Sequence, residues 1–290
     1  MASQSSSHKI GWALVAPIII GALFGLCAGL LERRDVPTAD DYDKLRVFLA
    51  AHVGPDDAVA VLPAWSMRAQ MAARAHTVIS GDNLAGYPFD RFAKVFVVVE
   101  PDGELDAIDY AVAAKTKVGR LRVYTFQPGR AVRTDFTARI HDAEVSVDDK
   151  RCSISHPRGI RCGGKDWQRV TRDFLDVSEN GDTALWAHPP GQGKTLVVVY
   201  RDVPLGNVLV VRAGHTRLGA RSGRTAVNID IDVDGRRIGT ITRWPAFDFT
   251  TTEIATQRSA HATVRFSIHT ADNKANHFAF DALSLDRQRP

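Results

Sequence analysis

The sequence predicts three parts in order: a single N-terminal transmembrane helix, a small α/β domain built on a parallel sheet, and a β-sandwich. The run Ile10–Leu31 holds 22 residues and no charged side chain. Strand-like and helix-like segments alternate over residues 36–134, whereas short strand-like segments separated by turn residues fill residues 135–290. We therefore expect residues 1–35 to form a tail and membrane anchor, followed by these two domains.

The apolar run has the length of a membrane helix. A helix of 22 residues rises about 33 Å, enough to cross the roughly 30 Å hydrocarbon core of a bilayer. It is longer than the apolar core of a signal peptide, and no small-residue cleavage site follows it. Lipidation at Cys27 is disfavoured because Leu26 is large for the residue before a modified cysteine. We expect an uncleaved signal anchor and a single-pass protein of the cell membrane.

Three glycines, Gly21, Gly25 and Gly29, repeat every four residues within this run. Small residues on one face allow two membrane helices to approach closely. The pattern predicts self-association of the helix or docking against a multi-span membrane protein. The alternative is that these glycines reflect only the general frequency of glycine in membrane helices.

Charge is distributed unevenly along the chain. Residues 36–150 carry a net charge of −3 and residues 151–290 a net charge of +6. The arginines of the basic half are scattered among strand-like segments rather than gathered in a run, so we expect no nucleic-acid partner. Lys9 precedes the apolar run and Arg33 and Arg34 follow it, so the positive-inside rule is near neutral or mildly against export of the body and leaves the orientation undecided.

Two cysteines outside the apolar run, Cys152 and Cys162, lie close in the sequence. Their spacing suits a disulfide that closes a small loop and contributes about 2–3 kcal/mol through loop entropy. A metal site that also uses His156 lacks a convincing fourth ligand, so we expect neither a metal nor a cofactor. Disulfides persist in oxidising compartments, which favours a periplasmic or other extracytoplasmic location for the body of the protein.

Residues 36–134 show alternating helical and extended patterns. The predicted helices are Asp40–Val53, Ser66–Ala75 and Glu104–Lys117. The predicted strands are Ala58–Leu62, Lys94–Val99 and Leu121–Phe126. Strand–helix–strand order predicts a mostly parallel sheet with helices packed on it. No glycine-rich dinucleotide fingerprint follows a strand, so no nucleotide site is predicted here.

Part of this domain resembles a domain of known enzymes. Ala58–Trp65 and Phe89–Glu100 carry the resemblance. Residues 36–130 resemble the soluble domain that follows the membrane helices of GT-C-type glycosyltransferases, which use lipid-linked sugars. The multi-helix membrane part that holds the acidic catalytic residues of those enzymes is absent from this sequence. The resemblance therefore implies an accessory domain rather than an active transferase.

Residues 135–290 read as a series of short strands. The predicted strands are Ala143–Val147, Trp167–Val177, Thr183–Ala187, Thr195–Tyr200, Asn207–Arg212, Ala226–Val233, Arg237–Thr242, Ala262–His269 and His277–Leu285. Apolar and polar residues alternate strictly over residues 227–234, as in a strand with one buried face. Asp234–Gly235 then predicts a two-residue hairpin turn.

Two motifs in this half resemble ion or phosphate sites but are incomplete. Asp230–Gly235 resembles the start of an EF-hand loop, yet its twelfth position is Ile241 rather than glutamate. Pro190–Thr195 resembles a phosphate-binding loop, yet His188 stands at the first glycine position and a strand-like run follows. We interpret these motifs as part of a hairpin and as a turn between strands.

The order of strands resembles the galactose-binding-domain-like β-sandwich, a jelly-roll class that includes many carbohydrate-binding modules. Val227–Ile241, Ala262–Ile268 and Asn276–Leu285 carry this resemblance. It implies a jelly-roll-like sandwich that binds ligands through loops at one end. Many sandwiches of this class serve instead as interaction modules without a small ligand.

Sugar sites combine aromatic faces with charged or amide groups that bind hydroxyls. The loop residues that offer these groups are Arg243, Trp244, Asp248, Asn273 and His277, and Trp186 and His188 form another possible edge. We predict that these residues bind ligand, the alternative being that each is structural. No common metalloprotease or serine-hydrolase motif is present, so we predict no catalytic residue.

Three hypotheses about function follow. The leading hypothesis is a non-catalytic, single-pass, membrane-anchored envelope protein that binds glycan or a glycan-assembly partner through its sandwich. The first alternative is a scaffold or accessory subunit of a multi-span membrane enzyme, docked through the glycine face of the membrane helix. The second alternative is an unrecognised hydrolase or transferase.

Overall fold

A computed structural model describes residues 20, 22, 36–79, 84, 87–105, 108, 110–165, 167–177 and 180–287. The predicted anchor Ile10–Leu31 lies outside these residues, apart from Ile20 and Ala22, and the three glycines of its packing face are not described. Within the described part of the chain, no helix is both long enough and apolar enough to cross a bilayer. The membrane anchor stays a prediction.

The first unit is a five-stranded sheet with two helices on one face. Its helices are α1 (Ala39–His52) and α2 (Met67–Ala73). Its strands are β1 (Ala58–Leu62), β2 (Thr77–Ile79), β3 (Val95–Val99), β4 (Val112–Val118) and β5 (Leu121–Phe126). The strand order is β2-β1-β3-β5-β4, in which β1 pairs in parallel with β2 and β3 while the other two pairings are antiparallel.

Two predictions for this unit are wrong. The C-terminal half of the predicted helix Glu104–Lys117 is strand β4, which pairs with β5 through a tight turn at Gly119. Gly119 has a φ of +61°, and a Cβ there would lie 2.1 Å from a carboxylate oxygen of Asp41, so only glycine suits this turn. Because β5 runs antiparallel to both of its neighbours, β3 and β4, the sheet is mixed rather than mostly parallel.

The central strands of this sheet are buried on both faces. Val59 and Val61 of β1 pack beneath α1 and α2, whereas Ala58 and Ala60 face the opposite side. That second side is covered by described residues between Leu84 and Tyr110, among them Phe89 in a short 3-10 helix at Phe89–Arg91. Two-sided burial explains why these strands are unbroken apolar runs rather than alternating ones.

The second unit is a β-sandwich of two sheets. Its strands are β6 (Ala131–Asp135), β7 (Glu144–Val147), β8 (Lys150–Arg151), β9 (Ile154–His156), β10 (Gly159–Arg161), β11 (Arg169–Val177), β12 (Asn180–Ala187), β13 (Thr195–Leu205), β14 (Val208–His215), β15 (Val227–Val233), β16 (Arg236–Arg243), β17 (Phe249–Ala255), β18 (Ser259–Thr270) and β19 (Phe278–Asp286). A 3-10 helix at Ile140–Asp142 and the short helix α3 (Arg217–Ser222) lie in its connections.

One sheet of the sandwich has the order β17-β14-β19-β12-β11-β10-β9, with β6 also paired to β19. The other has the order β16-β15-β18-β13-β7-β8. A shared core fills the space between them, where Phe136 makes edge contacts with Tyr200 and Phe266 at ring-centroid distances of 5.0 and 5.5 Å. The predicted sandwich is therefore present. The position of the boundary between the two domains stays a prediction, and β6 begins at Ala131.

The predicted hairpin between β15 and β16 is confirmed. Asp234 and Gly235 have φ angles of +49° and +79°, the left-handed pair that a two-residue hairpin turn requires. The apolar side chains of β15 point into the shared core and its aspartates point outward, as the period-two pattern predicts.

A buried ion cluster joins the outer face of the sandwich to the first unit. Asp281 of β19 lies in register with Arg212 of β14 and is 1% exposed. Arg91 of the first unit donates to both oxygens of Asp281, at 2.7 and 2.8 Å, and the Thr137 hydroxyl donates at 2.6 Å. Burial alone would raise the pKa of Asp281, but Arg91 and Arg212 hold that pKa below its usual value.

Arg212 extends this cluster toward aromatic rings of both units. Its guanidinium carbon lies 4.4 Å from the ring centroid of Tyr87 and 4.5 Å from that of Phe249. Its Nη1 also donates to Asp182 at 2.6 Å. Tyr87 belongs to the first unit and Phe249 to the sandwich, so this single cation contacts both.

Replacing Asp281 with asparagine should lower the free energy of unfolding at pH 7 by about 3–5 kcal/mol, because Arg91 and Arg212 would keep buried charges without their carboxylate. The loss should shrink as the pH falls below about 4, since the unfolded carboxyl has a pKa near 3.9 and the wild-type contribution disappears on protonation. Urea denaturation at several pH values measures it.

The matched control is Asp43→Asn, which removes an exposed ion pair with Arg46. Its effect should stay within about 1 kcal/mol. Equal effects of the Asp281 and Asp43 substitutions at pH 7 would contradict the importance assigned to the buried cluster.

Candidate ligand-binding recess at one end of the sandwich

Three loops meet at one end of the sandwich and enclose two adjoining hollows. The loops are residues 162–168 before β11, residues 188–194 after β12 and residues 271–277 before β19. The hollows have volumes of about 310 and 510 Å³. Both are lined by Trp167, Arg169, His188 and Asn273. We call the two together the aromatic recess.

Two indole and two imidazole rings line the recess. The rings of Trp186 and His188 are nearly parallel, with centroids 6.0 Å apart. His277 stands edge-on to Trp186 at 5.1 Å, and Trp167 lies 4.9 Å from His188. The indole N–H of Trp186 donates to the main-chain oxygen of Trp167 at 3.2 Å. This bond connects the loop before β11 to β12.

The four rings differ in exposure. Trp186 and His188 are 8% and 9% exposed and form the inner wall, whereas Trp167 and His277 are only partly buried. Nδ1 of His188 is buried and has no hydrogen-bond partner among the described residues. A buried polar atom without a partner costs free energy, so a ligand group that bonds to it would be favoured.

His188 is neutral in the folded protein. Burial, followed by the proximity of His277, lowers the pKa of His188 to about 4. Burial also lowers the pKa of His277. A neutral imidazole has one nitrogen that donates and one that accepts. One interaction of the His188 ring is with the main chain of Asn273, which leaves Nδ1 as the ring nitrogen without a partner among the described residues.

Local covalent and backbone constraints hold the loops. Cys152 and Cys162 form a disulfide with a Cα–Cα distance of 4.4 Å, which confirms the prediction, and Cys162 lines the smaller hollow. The Asn273 side chain donates to the main-chain oxygen of Pro190 at 2.8 Å. Gly191 has a φ of +70°, and a Cβ there would lie 2.7 Å from the Cβ of Asn273. Two of the loops therefore touch at a position that only glycine fits.

The charged groups at the recess are cationic. Lys165, Arg169 and Lys194 line the smaller hollow, and Arg169 and Lys274 line the larger one. Arg169 lies 3.4 Å from the carboxylate of Asp173. Among the described lining residues of either hollow there is no aspartate or glutamate.

The predicted ligand-binding residues separate into two groups. Trp186, His188, Asn273 and His277 come together in the recess. Arg243 ends β16, Trp244 and Asp248 lie on the β16–β17 loop, and none of the three lines either hollow. There Arg243 donates to Asp248 at 2.5 Å and Trp244 is 66% exposed. A ligand role for each residue of both groups stays a prediction.

Trp167 and the lysines of the recess are not among the residues that the sequence predicts to bind ligand. The predicted strand begins at Trp167, whereas in the structure this residue lies in the connection that precedes β11. The nearby disulfide partner Cys162 and the pair Gly163–Gly164 were the available signals that this connection is a tethered loop. Lys194 was recognised only as part of an incomplete phosphate-loop motif.

The described residues contain no group of three His, Cys, Asp or Glu side chains arranged to hold a metal ion. The described side chains that line the recess include rings, amides and cations.

Comparisons with known proteins give similarity only at the level of solved structures. No family model matches the chain. No curated protein matches it either. The neighbours described below are carbohydrate-binding modules, the class that the strand order of residues 135–290 resembles.

The chain is similar to the CBM51-2 and INT domains of ZmpB from Clostridium perfringens in complex with GlcNAc, at 12% identity and a TM-score of 0.35, over 62% of this chain and 39% of that one. It is similar to the tandem CBM51 modules of a family 98 glycoside hydrolase from Streptococcus pneumoniae, at 10% identity and a TM-score of 0.32, over 58% and 56%. A CBM36-1 domain of a xylanase from the hindgut metagenome of Trinervitermes trinervoides matches at 14% identity and a TM-score of 0.25, over 44% and 90%.

This chain thus spans well under two thirds of the first two neighbours. At these TM-scores the similarity carries no argument about function, and the sandwich stands on the strand pairing of this chain itself. The resemblance of residues 36–130 to GT-C glycosyltransferases stays a prediction.

Proposed function

We propose that this chain is a non-catalytic, membrane-anchored protein of the cell envelope that binds glycan through the aromatic recess, with its body on the extracytoplasmic side. One observation carries the proposal: two tryptophan and two histidine rings, from the end of β12 and from the three loops, converge on one open recess. Because the pairing of β12 with β19 brings distant parts of the chain together here, the recess is a built feature of the fold.

The chemistry of the recess fits a sugar. The apolar face of a pyranose packs on an aromatic ring, and Trp167 and His277 offer partly exposed rings for this contact. Its hydroxyls need donors and acceptors, which Asn273 and the neutral imidazole of His188 supply. The hollows also have the size of small-molecule sites, which is about 300–1,000 Å³.

The residues at the recess favour binding over cleavage. Most glycoside hydrolases act through a pair of carboxylates that flank the scissile bond. The described residues that line the recess offer rings, amides and cations instead.

Two features support the proposed location. The disulfide between Cys152 and Cys162 is of a kind that persists in oxidising compartments. The apolar run Ile10–Leu31 has the length and composition of a membrane anchor.

Trp167→Ala should weaken glycan binding by about tenfold or more, since losing one buried aromatic contact costs about 1.5–3 kcal/mol. The substitution retains the main-chain oxygen of residue 167, which accepts the hydrogen bond from the indole of Trp186. The contact between this loop and β12 is therefore preserved. Binding is measured with the full-length protein in detergent on an array of immobilised glycans that includes GlcNAc, methyl-galactose and xylotriose.

Trp244→Ala is the matched control, because it removes the same side chain from an exposed loop that lines neither hollow. It should leave binding unchanged. If Trp244→Ala abolishes binding while Trp167→Ala does not, the site is the β16–β17 loop and the proposal for the recess fails.

Thiol labelling tests the proposed location. In cells that carry a Cys27→Ala variant, a membrane-impermeant maleimide should label Cys152 and Cys162 only after reduction, because both sulfurs are bridged and lie outside the membrane. Labelling without reductant, seen only after the cells are permeabilised, would place the body in the cytoplasm and exclude an envelope function.

A further inference from the structure

Three lysines from three different loops converge on the aromatic recess. Lys165 precedes β11, Lys194 precedes β13 and Lys274 precedes β19. All three are exposed, and none forms an ion pair with another described residue. Arg169 adds a fourth cation, which is partly balanced by Asp173.

In two other hollows of the described chain, a lining arginine forms ion pairs with carboxylates. In the hollow between the two units, Arg130 is paired with Asp90 and Glu253. In the hollow at the β15–β16 hairpin, Arg237 is paired with Asp230 and Asp232, at 2.9 and 2.7 Å. The lysines at the aromatic recess thus differ from Arg130 and Arg237 in having no carboxylate partner among the described residues.

Two described carboxylates near these lysines form no ion pair with them. Asp148 accepts a bond from the main-chain N–H of Thr195 at 3.0 Å. Asp272 accepts one from the main-chain N–H of Lys274 at 2.9 Å. Both groups shape turns, and neither lines a hollow. Among the described residues, the three ammonium groups therefore have no carboxylate partner and can bind an anionic group of a ligand.

We infer that the glycan bound in the aromatic recess carries an acidic substituent, a carboxylate, sulfate or phosphate group on the sugar, which the lysines around the recess bind. This inference rests on the proposed glycan binding and adds the chemical class of the ligand. The rings pack against the apolar face of the sugar, and the lysines contact its anionic group. Ammonium groups make strong charge-assisted bonds to such oxygens.

The test uses the full-length protein in detergent on an array of immobilised polysaccharides. Oligogalacturonate, alginate, heparin and a mannose phosphate polymer supply carboxylate, sulfate and phosphate groups. Methyl-esterified oligogalacturonate, galactan, xylan and dextran are the neutral counterparts. The variant Lys165→Gln/Lys194→Gln/Lys274→Gln removes three charges from the recess, and its exposed positions leave the fold intact.

The control variant is Lys44→Gln/Lys115→Gln/Lys117→Gln. It changes three exposed lysines of the first unit, so both variants lower the net charge of the chain from +4 to about +1. This control separates recognition in the recess from general attraction of a basic protein to polyanions.

The inference predicts binding to at least one acidic glycan in preference to its neutral counterpart. The recess variant should bind that glycan about tenfold or more weakly, because charge-assisted bonds are lost, while the control variant retains binding. Esterification of oligogalacturonate, or dephosphorylation of the mannose polymer, identifies which acidic group is recognised.

Each other outcome is informative. Binding to neutral glycans that is lost in Trp167→Ala but kept in the recess lysine variant would retain the proposed function and overturn this inference. Equal losses in both lysine variants would show attraction by net charge alone and would overturn it as well. Binding to no glycan on the array would contradict the proposed function itself.

Discussion

Strand β19 is the element on which the rest of the structure depends. Its side chains alternate between two faces, as the pleat of a strand requires. Phe278, Phe280 and Ala282 point into the core between the two sheets, while Asp281 points outward to the buried ion cluster. His277, immediately before its first residue, enters the aromatic recess. One register therefore positions the core, the contact with the first unit and the candidate site.

The recess is built by strand pairing and by short covalent or backbone constraints. Trp186 of β12 is opposite Ala279 of β19. This pairing brings Trp186 next to His277, which lies 91 positions later in the sequence. The disulfide at Cys162 and the bond from Asn273 to Pro190 then hold the surrounding loops. Rigid strands with tethered loops place the rings at fixed positions before any ligand arrives, which reduces the entropy lost on binding.

Parts of this arrangement could be predicted from the sequence because they depend on local patterns. The alternation of apolar and polar residues over 227–234, followed by the Asp234–Gly235 turn, is almost sufficient by itself to predict the hairpin. The spacing of Cys152 and Cys162 specifies a loop that a disulfide can close. The apolar run Val95–Val99 indicates a strand buried on both faces.

Other parts depend on contacts that no local pattern encodes. The alternating small and polar residues of β4 fit a helix or an edge strand equally well, and pairing with β5 decides between them. Trp186 lies near the end of β12 and Trp244 directly follows β16, so the sequence alone does not distinguish them as candidate ligand residues. The register of β12 with β19 places Trp186 in the recess, whereas Trp244 lies outside it. Trp167 was missed because its role depends on a loop whose path is set by Cys162 and the β11 pairing.

We propose that ligand binds in the aromatic recess, between the loops that precede β11, follow β12 and precede β19. The most direct test is hydrogen exchange of the full-length protein with and without the soluble form of the glycan that binds most tightly on the array. Binding in the recess should slow amide exchange in these three loops and leave exchange in residues 243–248 unchanged. Slower exchange confined to residues 243–248 would contradict it and place the site on the β16–β17 loop.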